Sequence, residues 1–361
     1  MNFALSDEQE FLREAARGAL GRVKTVEAAR DALDGGELPD LWPAAVQAGW
    51  PGLLIAEERG GAGLGAIEAM LVFAELGRVL AAVPLLGHLP ATYLLGDWDG
   101  AEALAAGDRR AAYLPAMPGD WTTDPREGSR RAPAPVLDGG TVTGEVAWVP
   151  DTPGADVLAV VTADGAAVAV DAADAEIEPV RRYDATRSLG HVRLDRAPAT
   201  PLPGADAATA WHLAQALLAA ESLGAVEAAL EASVGYAKER FTFGRAIGSY
   251  QAVKHELVEI LRRLENARSL MYYAGWAAAD APEELPVAAS AFRLVASEGL
   301  DHAARTLISV HGGIGATWEH DAPLYFRRAQ LSRRILGGEA AAADRVAGEL
   351  LTNAREGRVA A

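Results

Sequence analysis

The composition of this chain changes twice along its length, and that change constrains the fold most strongly. Residues 1–108 and 206–361 are rich in Ala and Leu, which favour helix. Residues 109–205 are instead rich in Val, Thr, Pro, Gly and Asp, in short apolar runs typical of strands. The chain is therefore predicted to be an α+β protein, mostly α, with an N-terminal helical domain, a small middle β domain and a C-terminal four-helix bundle.

The middle segment contains strand patterns separated by turn signals. Asp-Gly pairs favour tight hairpins, and they occur at 138–140 and 164–165. Strands are predicted at 141–149, 157–161, 166–170 and 191–194.

The terminal segments carry helix signals. Ser6 is predicted to cap a first helix, Gly312 to end a long one, and Asp321 to cap a short one before the last helix, 339–356. A lone carboxylate, Glu221, stands among apolar residues, where we expect it to pair with a basic residue of the bundle.

Charge and residue counts exclude several classes of function. The chain has 361 residues, no cysteine and a net charge of -17, so thiolate chemistry and disulfides are excluded. The acidic balance argues against binding to nucleic acid or to a membrane surface. Neither a signal peptide nor a membrane-spanning stretch is apparent, so a soluble cytoplasmic protein is expected, and no metal-ligand spacing occurs among the seven histidines.

Two glycine-containing segments are candidates for a phosphate site. Gly61, Gly63 and Ala66 match a dinucleotide-binding fingerprint, but a polar run separates them from the preceding apolar residues, which favours a loop. The segment 240–251, RFTFGRAIGSYQ, places an arginine, an aromatic–glycine pair and a glutamine between two long helices. Guanidinium and a helix N-terminus both bind phosphate, while an ordinary helix–helix turn with a glycine hinge explains the same residues.

The domain order, together with several local motifs, resembles the acyl-CoA dehydrogenase family over nearly the whole chain. The motifs are AGWPG at 48–52, ERGG at 58–61, ELGR at 75–78, YAKERFTFGRAIGSYQ at 236–251 and HGGIGATWEH at 311–320. The resemblance is closest to an actinobacterial branch acting in side-chain degradation and biosynthesis, and it implies fatty-acid or steroid metabolism. It also implies an oxidoreductase acting on CH–CH groups, oligomeric, with FAD bound non-covalently between subunits.

The resemblance assigns cofactor-binding residues by position. Arg240 is implied to reach the FAD pyrophosphate, Gln251 its nucleotide half, and Trp148 the flavin ring, although Trp148 is equally compatible with core filling. The implied set is Arg240, Thr242, Phe243, Gln251, Gly312, Gly313 and Trp148. Two stretches depart from the family pattern: Thr122–Ser129 keeps only part of the usual flavin loop, and Ser309 stands where a glutamine is common.

The family reaction, α,β-desaturation of an acyl thioester, needs a carboxylate base to take the α-proton while a hydride passes to the flavin. The two family positions for that base correspond here to Leu336 and Ala214, and neither carries a carboxylate. Glu339 is nearby in sequence and is either a relocated base or an ordinary acidic residue at a helix N-terminus.

Three functions are consistent with these features. The first is the base-lacking subunit of a heteromeric FAD-dependent acyl-CoA dehydrogenase, paired with a base-carrying paralogous subunit. The second is a self-sufficient flavoenzyme with a relocated base, acting on an unusual or carrier-bound acyl group. The third is a non-redox binding or assembly protein on the same scaffold. The implied partners are an acyl-CoA or acyl-carrier thioester, homo- or hetero-oligomeric subunits and an electron-accepting flavoprotein.

Overall fold

The computed structural model describes residues 4–116, 119–120, 131–132, 134–180 and 183–355. Its helices are α1 (Asp7–Leu20), α2 (Thr25–Asp31), α3 (Trp42–Gln47), α4 (Ala66–Arg78), α5 (Leu85–Leu94), α6 (Ala101–Ala105), α7 (Ala207–Glu239), α8 (Gln251–Asp280), α9 (Leu285–His311), α10 (Ala322–Ser332) and α11 (Gly338–Arg355). The helix–sheet–helix order predicted from composition is confirmed.

The strands are β1 (Ala111–Leu114), β2 (Gly119–Asp120), β3 (Arg131–Ala132), β4 (Val136–Asp138), β5 (Thr141–Pro150), β6 (Val157–Val161), β7 (Ala167–Asp171), β8 (Glu176–Pro179), β9 (Leu189–Pro198), β10 (Thr200–Pro201), β11 (Phe241–Thr242) and β12 (Arg245–Ala246). They include two four-stranded sheets, ordered β1-β6-β7-β10 and β4-β5-β9-β8. β1 and β6 are parallel, whereas the other pairs in these sheets are antiparallel. Valines and leucines from both sheets form one buried apolar cluster.

The chain divides into two compact units. The first comprises 1–39, 70–81 and 215–361, and the second comprises 40–69 and 82–214. The division into three domains at 108 and 205 stays a prediction from composition.

In the first unit, α4 and α7 cross at unusually close range because both have glycine at the contact. A Cβ at Gly77 would lie 1.8 Å from the carbonyl oxygen of Glu221, and one at Gly224 would lie 1.7 Å from that of Ala74. No side chain fits at either position, so this crossing depends on glycine.

The prediction that Glu221 pairs with a bundle basic residue is confirmed. Its Oε1 accepts a 2.6 Å hydrogen bond from Arg328, and the two side chains are 5% and 1% exposed. Sequence patterning places Arg328, beside Arg327, on the helix surface; that interpretation is wrong for Arg328. The buried pair cross-links α7 to α10.

In the second unit, α5 packs on β1 through a buried histidine. His88 is fully buried, and its Nδ1 accepts a 3.0 Å hydrogen bond from the Ala111 N–H. Its ring stands edge-on to Trp42, whose Nε1 donates to the Gly107 carbonyl at 2.9 Å. Burial lowers the pKa of His88 to about 4, so the side chain is neutral at physiological pH.

Two predictions of helix caps have different outcomes. Ser6 forms a reciprocal capping box with Gln9, as predicted. Asp321 precedes α10 but its side chain makes no cap hydrogen bond; it pairs with Arg30 instead.

The expectation that no stretch could span a bilayer needs a correction. Within the described residues, α7 is long and apolar enough by length and composition, with 33 residues. However, 83% of its most apolar window is buried inside the protein, which is typical of a core helix.

Candidate functional site

The segment 240–251 forms a tight hairpin between α7 and α8. β11 pairs with β12, and Phe243 and Gly244 form the two-residue turn with φ of 50° and 79°. A left-handed conformation costs a non-glycine residue about 1–2 kcal/mol, and Phe243 nevertheless leaves its side chain 93% exposed. A strained, solvent-exposed aromatic residue is typical of a surface that binds a ligand or another subunit.

Internal contacts make the hairpin rigid. The Tyr250 hydroxyl donates to the Thr242 carbonyl at 3.2 Å, and the Arg245 guanidinium lies 4.0 Å from the centre of the Tyr250 ring. At Gly248, a Cβ would lie 2.9 Å from the Ala237 carbonyl oxygen, so the hairpin packs closely against the end of α7. The segment is therefore a braced structure, unlike a flexible hinge.

The hairpin presents unpaired positive character to solvent. Arg240 is exposed and makes no ion pair within the part of the chain that the structure describes. Helix α8 begins at Gln251, its N-cap residue Tyr250 supplies no side-chain hydrogen bond, and its first turn has no acidic residue. A free guanidinium and free helix N–H groups are the donors that a diphosphate requires, so these residues fit the pyrophosphate of FAD.

The predicted second glycine motif lies at the end of α9. Gly312 has φ 64° and ψ −138°, which only glycine adopts readily, and a Cβ at Gly312 or Gly313 would meet nothing within 4 Å. This turn lies beside α7, the helix that leads into the hairpin: His311 stacks on Tyr236 of α7 with ring centroids 4.2 Å apart. The open backbone fits close approach by a cofactor.

The loop to which the resemblance assigns the family base has a leucine at that position. Leu336, 7% exposed, has φ 51°, and Gly337 and Gly338 follow with φ 81° and 74°. Gln215 Nε2 donates to the Leu336 carbonyl at 2.8 Å. The Gln215 side chain therefore holds the backbone of this loop, although the residue at the family base position is leucine.

A buried arginine holds the same loop from α9. Arg293 is fully buried and donates to the carbonyl oxygens of Ser332 and Ile335. A cation at the C-terminal end of α10 is also favourable for the helix dipole. Ala214, at the second family position for the base, is fully buried on α7.

Glu339, the candidate relocated base, is held by an ion pair. Arg333 Nε donates to its Oε1 at 3.0 Å, and this bond raises the pKa of Arg333. Arg333 Nη1 also lies 3.4 Å from Oδ2 of Asp301. The second carboxylate oxygen of Glu339, Oε2, is buried and has no hydrogen-bond partner among the described residues.

Trp148 belongs to the second unit and sits at a bulge of β5. The register against β9 shifts between Val146 and Val149, and Trp148 has φ 59°. Its ring is partly buried, edge-on to His191 with centroids 4.3 Å apart. The assignment of Trp148 to a flavin ring stays a prediction, and the stretch Thr122–Ser129 lies outside the described residues.

Sequence reasoning missed the residues that support the site. Gln215 acts on a backbone carbonyl 121 positions away, and Arg293 acts on carbonyls 39 and 42 positions away, which no local pattern reveals. The one available signal for Arg293 is a charge among apolar helix residues, AFRLVA.

Comparison with known proteins gives matches over most of the chain. The acyl-CoA dehydrogenase N-terminal domain family matches residues 6–117, and the C-terminal domain family matches 205–351. Acyl-CoA dehydrogenase IpdE2 of Mycobacterium tuberculosis is 36% identical over 343 residues, which cover 91% of this chain and 93% of that protein.

Two solved structures have the same fold. The Tcur3481-Tcur3483 steroid ACAD G363A variant has a TM-score of 0.84 at 28% identity, over 97% of this chain and 99% of that chain. The ChsE4-ChsE5 complex of Mycobacterium tuberculosis has a TM-score of 0.84 at 26% identity, over the same shares. With the two family matches and the IpdE2 relative, these show that the chain belongs to the acyl-CoA dehydrogenase family, the FAD-dependent oxidoreductases that act on CH–CH groups.

Proposed function

We propose that this chain is the base-lacking subunit of a heteromeric acyl-CoA dehydrogenase, and that it holds FAD together with a second subunit that carries the base. The observation behind this proposal is the loop at Leu336. Gln215 and Arg293 donate hydrogen bonds to its backbone carbonyls, yet the side chain at the base position is aliphatic. Ala214 leaves the other family position without a carboxylate as well.

The residues of this chain then bind and orient the cofactor. Arg240 and the N-terminus of α8 would hold the pyrophosphate, with Thr242 and Phe243 along it and Gln251 at the nucleotide half. The backbone at Gly312 and Gly313 would border the same ligand. When bound, FAD supplies the hydride-accepting chemistry, and the protein supplies position and a dry environment.

A shared site is supported by the exposed apolar residues around the hairpin. Phe241 and Phe243 are 62% and 93% exposed, and Ile314 and Trp318, just after the diglycine, are 43% and 64% exposed. ChsE4-ChsE5 is a complex of two proteins, so a heteromeric assembly has a precedent on this fold.

The substrate proposed is an acyl thioester, and the first to test is a steroid-derived acyl-CoA. That choice rests on the solved neighbour named a steroid ACAD. Fatty acyl-CoA and carrier-bound acyl groups complete the panel. An electron-accepting flavoprotein as the physiological oxidant stays a prediction.

The test compares the chain purified alone with the chain purified together with its co-eluting subunit. We expect a flavin absorbance spectrum and thioester-dependent reduction of an artificial dye acceptor only from the pair. Arg240→Ala should lower FAD occupancy of the pair by about ten-fold or more, because charge-assisted bonds to phosphate are strong. Stoichiometric FAD and thioester oxidation by this chain alone would contradict the base-lacking role.

Glu339 supports a second candidate, a self-sufficient enzyme with a relocated base. Its Oε2 is buried and without a hydrogen-bond partner among the described residues, so one oxygen is available to take a proton. In that case Glu339→Gln abolishes turnover, whereas Asp344→Asn, an exposed change on the same helix, does not. Equal rates for wild type and Glu339→Gln rule the candidate out. Absence of flavin bands after added FAD, alone and with the partner, would favour the non-redox scaffold.

A further inference from the structure

A column of three rings joins the two cofactor segments. Tyr236 and His311 stack with centroids 4.2 Å apart and an interplanar angle of 30°. His320 is the last residue of the motif 311–320, and its ring centroid lies 4.3 Å from that of His311, with the two planes tilted by 52°. The rings come from the end of α7, the end of α9 and the loop before α10.

Backbone hydrogen bonds fix the orientation of both histidines. His311 Nδ1 lies 2.8 Å from the Leu307 carbonyl, and because a carbonyl only accepts, Nδ1 carries the proton. His320 Nδ1 accepts a 3.0 Å hydrogen bond from the Ala322 N–H, so this nitrogen is unprotonated. The hydrogen bond from the Ala322 N–H therefore requires the neutral form of His320.

Two of the three rings, those of Tyr236 and His311, lead directly into residues assigned to the cofactor. The Tyr236 carbonyl accepts the Arg240 N–H at 2.8 Å, one helical turn later. His311 is the last residue of α9, and Gly312 and Gly313 follow it. The relative position of the guanidinium and the diglycine backbone thus depends on the contact between Tyr236 and His311.

We propose that Tyr236, His311 and His320 are positioning residues for FAD, which hold Arg240 and the diglycine turn at the spacing that the cofactor requires. This inference rests on the proposed FAD site. The rings act through the backbone that they hold and are assigned no chemical step.

The same column makes FAD affinity sensitive to pH. Burial and the neighbouring His311 lower the pKa of His320, while Asp321 and Arg30 act on it in opposite directions. Protonation of His320 would remove the acceptor for the Ala322 N–H and place a charge beside His311 and Arg30. Affinity should therefore be constant near neutral pH and fall as the pH drops below the ordinary histidine pKa of about 6.5.

The experiment measures the FAD dissociation constant by flavin fluorescence, with the full chain and any subunit that co-purifies. Tyr236→Leu and His311→Leu should weaken binding about five- to ten-fold, as expected for loss of one aromatic contact. Tyr236→Phe should bind as wild type because it keeps the stack. His320→Phe should flatten the dependence on pH between about 7 and 5.

A matched control is Tyr273→Leu, which breaks a stack with Trp276 on α8, and Arg240→Ala tests the FAD site itself. If Arg240→Ala weakens binding but Tyr236→Leu and His311→Leu behave like Tyr273→Leu, the positioning role is wrong and the FAD site stands. Equal losses for Tyr236→Phe and Tyr236→Leu would also overturn it, since stacking would not be the cause. A wild type that binds no FAD removes both proposals.

Discussion

At the scale of single residues, the interior of each unit contains buried polar groups that stay charged only when paired. Glu221 and Arg328 lose the hydration of two charges, and their ion pair offsets part of that cost, whereas His88 is buried in its neutral form. The sequence identifies such residues as polar groups in apolar surroundings but does not identify their partners. Arg327 and Arg328 are the same residue type at neighbouring positions of α10, and only Arg328 lies on the buried face of the helix.

His88 makes the second unit sensitive to acid. Its folded pKa of about 4 is below the value of about 6.5 in an unfolded chain, so the unfolded state binds a proton first. The contribution of neutral His88 to the free energy of unfolding is complete above about pH 6.5. It decreases by about 3 kcal/mol as the pH falls to about 4.

Chemical denaturation across this pH range, on wild type and His88→Gln, measures the effect. The variant should be less stable near pH 7 and should lose less stability on acidification. Parallel pH profiles for the two proteins would show that His88 is not responsible.

At the scale of elements, the sequence predicts those whose pattern is local. The strand at 157–161 and the hairpin at 138–140 lie where apolar periodicity and Asp-Gly signals put them. The sequence predicts a strand at 191–194, whereas β9 runs from Leu189 to Pro198, because pairing with β5 extends it at both ends. β1 has no strand signal of its own and exists through its parallel pairing with β6. At 240–251 the sequence predicts a phosphate-binding segment or an ordinary turn between two long helices. It does not predict the β-hairpin closed by Phe243 and Gly244, or its bracing by Tyr250.

The crossing of α4 and α7 gives a prediction at this scale. Gly77→Ala and Gly224→Ala each place a methyl group within 2 Å of a carbonyl oxygen, so the helices must separate. We expect each to lower the free energy of unfolding by about 3 kcal/mol or more.

Gly235→Ala is the control on the same helix, where a Cβ meets nothing within 4 Å. It should stabilise the protein by about 0.5–1 kcal/mol, through helix propensity alone. Thermal unfolding of the three variants separates crowding from propensity, and equal behaviour at all three glycines would contradict the close crossing.

At the scale of the whole molecule, the proposed shared site predicts that the exposed aromatic side chain of Phe243 contributes to subunit association. If Phe243 is buried by another subunit, Phe243→Ser removes about 1.5–3 kcal/mol per contact, which is roughly ten-fold or more in the dissociation constant. The loss should appear in both subunit association and FAD retention on dilution. Phe11→Ser, at an aromatic residue of α1 that is 73% exposed, should change neither.

Light scattering on a dilution series checks this prediction. Unchanged mass and flavin content for Phe243→Ser at every concentration would remove the hairpin tip from the interface. The outcome is independent of whether the second subunit is another copy of this chain or a paralogue.

The hairpin tip also bears on supply inside a cell. Under the proposed pairing, a copy made without its partner would keep Phe241 and Phe243 in water, and such apolar patches promote aggregation and recognition by chaperones. Surplus copies would be cleared faster than paired ones. The amount of assembled enzyme would then be set by the subunit made in the smaller amount. Replacing Phe243 by glycine would reduce aggregation of the chain expressed alone, but it would also weaken the selective removal of unpaired copies.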